Sequence, residues 1–138
     1  MPQEENSREN PKQEPRGELA LRTFAMPADV NINGDIFGGW VVSQMDLAGG
    51  IVAAGRARGR VATVAIEAMQ FIRPVNVGDV VCVYAEVERV GRTSMGIHIE
   101  AWALQRHRGE RRKVTEATFT FVAIDNDGRP RPVPADEE

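Results

Sequence analysis

Asp46 is the single carboxylate in an otherwise apolar stretch, GWVVSQMDLAGGIVAAG, which runs from Gly39 to Gly55. Burying an ionised carboxylate alone is costly, so the residue needs either a partner or a use. A carboxylate in use is a general base or a nucleophile. Ser43 lies one helical turn before it and the pair Gly49 and Gly50 one turn after it. Each glycine costs roughly 1 kcal/mol against alanine inside a helix, so two in succession imply that something packs closely beside Asp46. The same residues also read as a capped structural carboxylate, with glycines that serve helix-on-sheet packing. That alternative stays open at this level.

Gly38 and Gly39 begin the same stretch and follow the loop Asn31-Ile32-Asn33-Gly34-Asp35-Ile36-Phe37. Backbone N–H groups at a helix start lack intrahelical acceptors and lie at the positive end of the dipole. They can therefore bind a carbonyl oxygen as it becomes an oxyanion. An ordinary turn into a helix would use the same glycines. From Gly38 to Asp46 is about 12 Å along a helix, too far for one reacting carbonyl group to touch both ends. Two arrangements close the gap: a second copy of the helix running antiparallel, which makes two symmetric sites, or a loop that curls at Gly38.

The elements that must hold these residues are legible in outline. The helix over Gly39 to Gly55 is apolar at Val41, Met45, Ala48 and Val52 and also at Trp40, Leu47, Ile51 and Ala54, so it should be buried on most sides. A strand over Leu19 to Met26 precedes it, ended by Pro27. Four stretches with strand character follow it: Val61 to Ile72, Val80 to Val90, Thr93 to Leu104 and Val114 to Asp125. Met95, Ile97, Ile99, Ala101 and Ala103 alternate with Ser94, Gly96, His98 and Glu100, which gives a sheet one face toward a core. Short links between strands imply antiparallel pairing. The expected architecture is α+β, a sheet of five or more strands wrapped around one central helix.

A length of 138 residues suits one domain. Residues 1–17 are polar after Met1 and contain three prolines, which predicts a flexible tail. The folded domain is expected over 18–126 and a second, proline-rich and acidic tail over 127–138. A net charge of -3 with no basic stripe argues against nucleic acid. No apolar run is long enough to span a membrane, and no basic-then-apolar leader opens the chain. Cys82 is the single cysteine, so no internal disulfide forms, and a cytoplasmic, reducing setting is expected. No ligand cluster for a metal is evident, and both His98 and His107 read as surface residues.

Several motifs occur together and in order: RTFAMPAD from Arg22 to Asp29, NINGDIFGGWVVSQMD from Asn31 to Asp46, GRVATVAIEAMQFIRPVNVGDVV from Gly59 to Val81, VGRTS from Val90 to Ser94, and KVTEATFTFVAIDNDGRPRPVP from Lys113 to Pro134. This series closely resembles the YciA-type bacterial acyl-CoA thioesterases over nearly the whole chain after the first tail. The resemblance implies the hotdog fold, with dimers that join their sheets and assemble as a trimer of dimers. It implies hydrolysis of fatty acyl-CoA, with coenzyme A as part of substrate and product and no separate cofactor. By the same likeness Asp46 is the catalytic carboxylate, acting as general base or nucleophile. Gly38 or Gly39 supplies the oxyanion-binding N–H, and Asn31 and Thr63 neighbour the site. For the CoA moiety the implied group is Arg92 with Gly91, Thr93 and Ser94, and less directly Arg60 and Arg73, since guanidinium groups suit phosphate. The acyl chain is expected in an apolar channel beside the helix, against Trp40 or Met69.

Two rivals share the fold. A dehydratase or hydratase would need a histidine in the loop or helix, and none is there. A non-catalytic acyl-CoA sensor would discard the carboxylate or add a DNA-binding unit; Asp46 is retained and the first tail is short and acidic.

Overall fold

The computed structural model describes residues 14–105 and 109–136. In chain order the elements are β1 (Glu18–Phe24), a 3-10 turn (Pro27–Asp29), α1 (Gly38–Ala57), β2 (Val61–Ile66), β3 (Gln70–Phe71), β4 (Val80–Val90), β5 (Ser94–Leu104) and β6 (Arg111–Ala123). All strand pairs are antiparallel, in the order β1-β4-β5-β6-β2, with β3 also on β6. This is the α+β arrangement expected, with six strands.

The inner face of the sheet carries Val81, Val83 and Ala85 from β4, Met95, Ile97 and Ile99 from β5, and Phe119 and Phe121 from β6. Against it lie Val41, Met45, Ala48, Ala53 and Ala57 of α1. Gly49 explains the closeness of that packing. A methyl group placed there would stand 2.5 Å from Ile99 Cδ1 and 3.0 Å from the Phe121 ring, so any side chain would push helix and sheet apart. Arg58, in the left-handed conformation at φ 55°, ends the helix and donates its N–H to Ala54 O.

The helix is less buried than its composition suggests. Leu47 and Ile51 are 58% and 57% exposed and, with Gly39, Ser43 and Gly55, form a row at four-residue spacing on the side away from the sheet. The apolar residues all round the helix therefore face two different surroundings: the sheet on one side, and on the other a surface left open by one chain alone.

Two further expectations change. The stretch Val61 to Ile72 is not one strand. β2 and β3 run in succession along β6, broken at residues 67–69, with a bulge between Thr63 and Ala65. The stretch from 127 onward, expected as a tail, is laid back on the domain as far as Pro134. Pro130 bridges to Ile124, Arg131 N–H donates to Ala123 O and Val133 N–H to Arg92 O. Arg131 Nη2 reaches Ala57 O at 2.9 Å, at the end of α1, and Arg56 Nη1 reaches Pro134 O at 2.6 Å. The alternation explains the docking: the residues between the prolines supply the N–H groups, and the prolines occupy positions that need none. Most of the first tail, residues 1–13, lies outside the described residues, as does His107.

Candidate functional site

Asp46 sits midway along α1, half-buried, and Thr63 Oγ1 on β2 donates to its Oδ1 at 2.5 Å. A hydroxyl holds a carboxylate in place without neutralising it, which leaves the second oxygen able to take a proton. The bulge after Thr63 lies beside this contact, and the edge strand and helix fix the pair together.

The loop ahead of α1 is built around Asn31. Its Oδ1 accepts the N–H groups of Asn33 at 2.8 Å and Asp35 at 3.1 Å, and its own N–H donates to Asp35 O at 2.7 Å. Gly34, at φ +86°, takes the left-handed position that closes the turn. Ile36 N–H then bonds Val75 O and Phe37 N–H bonds Asp29 O, which ties down the end of the loop where it enters the helix. Phe37 caps α1 with its carbonyl, which accepts from Trp40 and Val41. The amides of Gly38 and Gly39 belong to the first turn, at the positive helix end, where N–H groups have no intrahelical acceptor. Gly38 faces the Phe71 ring, where a methyl group would meet ring carbons at 3.3 Å, whereas nothing stands within 4 Å of one on Gly39.

Beside this helix start lies a cleft of about 330 Å³, lined by Asn31, Asp35, Ile36, Gly38, Val41 and Phe71, and continued by Ile72 to Val75 and Val114. Trp40 and Met69, expected along the channel, are not in its wall; both pack half-buried against the core.

The arginines fall into two groups. Arg73 lines the cleft and donates from Nη1 to Lys113 O. Arg60 stands beyond the other end of α1 and donates to the carbonyls of Asp125 and Asn126 at 3.1 and 3.2 Å. Gly91 N–H bonds Ser94 O at 2.7 Å in the β4–β5 turn, and the carbonyls of Arg92 and Thr93 accept from Val133 and Ala123. Arg60, Arg92, Thr93 and Ser94 thus gather at the helix C-terminal end, where Arg56 and Arg131 join them. Those last two escaped sequence reasoning, because only the folded-back segment brings them near.

A separate polar cluster occupies the outer face of the sheet. Here His98 is buried, contrary to its expected surface position: Nε2 lies 2.8 Å from Glu100 Oε2, with Glu116 at 3.7 Å. Trp102 Nε1 donates to Glu100 Oε1 at 2.9 Å, Arg16 N–H reaches the same oxygen, and Lys113 Nζ lies 2.9 Å from Glu116 and 4.0 Å from Glu100. Burial alone would raise the Glu100 pKa. The hydrogen bonds from His98 and Trp102, the Lys113 charge and the Arg16 amide outweigh it and hold the carboxyl below its usual value. His98, Glu100 and Glu116 are close enough to share a cation, and the Lys113 ammonium already supplies positive charge among them.

The fold, one helix embraced by an antiparallel sheet, and the carboxylate beside it point to one class of protein, and sequence comparison agrees. Residues 33–110 match the thioesterase superfamily, and the chain belongs to that family. Among its relatives is the acyl-CoA thioester hydrolase YciA of Salmonella typhimurium, 58% identical over 123 residues that cover 87% of this chain and 92% of that protein. Similar solved structures include a hexameric thioesterase from Yersinia pestis, at TM-score 0.85 and 54% identity over 89% of this chain and all of the other (100%). HI0827, a hexameric broad specificity acyl-coenzyme A thioesterase, superposes at TM-score 0.85 with 53% identity over 91% and 86% of the two chains. No helix among the described residues is long and apolar enough to cross a membrane.

Proposed function

We propose that this chain hydrolyses the thioester of acyl-CoA to a free carboxylic acid and CoA, and that Asp46 is the working carboxylate. The observation that carries the reading is the Asp46–Thr63 pair on the open side of α1: a carboxylate held by a hydroxyl and facing a surface one chain leaves uncovered. Asp46 takes a proton from water as the water oxygen attacks the thioester carbon. The Gly39 and Gly38 amides hold the oxyanion, and the intermediate collapses with loss of the CoA thiolate. A thiol of pKa near 8.5 is a good leaving group and needs little proton assistance.

The helix start and Asp46 of one chain are too far apart to act together, so the site is shared between two copies. With the helices antiparallel, setting Gly39 of one against Asp46 of the other places the two-fold axis beside Ser43, and Leu47 then meets the helix start of the second copy. Val64 and Ile66, exposed on the unpaired edge strand β2, are positioned to continue the sheet across that axis. This dimer is the unit of a hexamer, as its relatives are hexameric, and it works in the cytoplasm, where the buried thiol of Cys82 stays reduced. The basic group Arg60, Arg92, Thr93 and Ser94 receives CoA phosphate.

The test is release of free thiol from an acetyl- to palmitoyl-CoA panel, with Asp46→Asn beside the parent. The variant should lose about two or more orders of magnitude in rate, as expected for removal of a general base, with its melting temperature retained. A parent that binds acyl-CoA without releasing thiol would be a sensor instead. Single turnover in ¹⁸O-water can identify a nucleophile: a mixed anhydride opened by water at the Asp46 carbonyl leaves label in the enzyme, which the general-base route never does.

A further inference from the structure

We infer that the cleft beside the start of α1 receives the acyl chain and that Ile72 is the wall residue that sets which chain lengths are favoured. The inference rests on the thioesterase reading and adds to it the direction in which the substrate lies.

Gly38 lines the cleft, so a thioester whose carbonyl oxygen sits on its amide has one of its two ends beside the cleft. Much of its wall is hydrocarbon: Ile36, Val41, Phe71, Ile72, Val75 and Val114. Part of its polar lining is already engaged. Asn31 Oδ1 accepts two backbone N–H groups, and Arg73 Nη1 donates to Lys113 O. Pantetheine carries two amides that lose hydrogen bonds to water in such a wall, whereas an alkyl chain loses none. Asp35 in the same lining offsets the charge of Arg73, so the cleft offers the phosphates of the CoA end no net positive charge. The acyl chain therefore enters and the CoA end leaves the other way.

A volume of about 330 Å³ holds on the order of ten water-sized groups of ~30 Å³, and a methylene is of that size. Each methylene buried should raise binding by about two- to fourfold, with the gain flattening near ten carbons. Ile72 is 57% exposed, so added bulk there narrows the cleft without invading the core.

The experiment measures kcat/KM for acetyl-, butyryl-, octanoyl- and lauroyl-CoA with the parent, Ile72→Trp and Ile72→Ala. Size-exclusion chromatography with light scattering is run on each. The octanoyl-to-acetyl ratio should fall at least tenfold in Ile72→Trp and hold or rise in Ile72→Ala. In the Asp46→Asn background, octanoyl-CoA should bind more tightly than CoA itself, and Ile72→Trp should remove that difference. A parent inactive on every acyl-CoA would overturn the thioesterase reading. An active parent whose chain-length profile is the same in both variants, or changes only as the assembly dissociates, would overturn this inference alone and assign the cleft to a contact between copies.

Discussion

Among single residues, Thr63 is the most informative neighbour of Asp46. Thr63→Val keeps the strand shape and removes the donor, and a hydrogen bond to a charged group contributes about 1.5–3 kcal/mol. The expected result is a fall in kcat of about ten- to a hundredfold with KM little changed, read by steady-state thiol release. Had Asp46 served structure alone, the same substitution would lower the melting temperature and leave kcat near the parent value. Asp46 itself was legible in the sequence because a lone carboxylate in an apolar helix demands an explanation. Its contact with Thr63, 17 residues away, depended on how a bulged edge strand lies against the helix. Glycines show the same divide. Gly49→Ala should destabilise by about 1–3 kcal/mol through overpacking against Ile99 and Phe121. Gly55→Ala, with nothing within 4 Å of the added methyl, should gain roughly 0.5–1 kcal/mol from helix propensity. Thermal unfolding of the two variants gives opposite signs, although the sequence shows only Gly in both places.

At the level of elements, β5 shows what alternation can and cannot reveal. Period two correctly assigned Met95, Ile97 and Ile99 to the core, and it equally assigned His98 and Glu100 to the opposite face. It could not show that the opposite face is itself covered, since that depends on Trp102 of the same strand, on Lys113 and Glu116 across the β5–β6 ladder, and on the chain at Arg16. The cluster gives the sheet a pH dependence. Glu100 has its folded pKa below the unfolded one, so its contribution to stability is present in full above the unfolded carboxylate pKa and is lost as pH falls through the folded value. Melting temperature should therefore drop more steeply below about pH 4.5 in the parent than in Glu100→Gln, the reference being the ordinary glutamate value. The break between β2 and β3 was hidden for a similar reason: Val61 to Ile72 is strand-like throughout, and only pairing with β6 divides it.

For the whole molecule, the helix composition foretold a more complete burial than one chain provides. Leu47 and Ile51 on α1 and Val64 and Ile66 on β2 are among the large apolar residues left open. If the site is shared between two copies as proposed, Leu47→Glu should dissociate the assembly and reduce thiol release together. Light scattering and activity on the same fractions check this; a monomer with full activity would show that one chain suffices. The segment after 126 could not be placed from sequence, since its prolines suit both a free tail and a docked one. Only the carbonyls of Ala57, Ala123 and Arg92 decide between them.

The strand order also fixes when the site can exist during folding. β4, β5 and β6 are sequence neighbours and pair as a meander, so their contacts form early and locally. β2 follows the helix directly, yet among the described strands it pairs with β6, and the register joins Val61 to Ala123. Thr63 therefore reaches its hydrogen bond with Asp46 only after residues far toward the C-terminus have been synthesised. On the ribosome the helix and β2 wait unpaired, with their apolar faces open, until almost the entire chain has emerged.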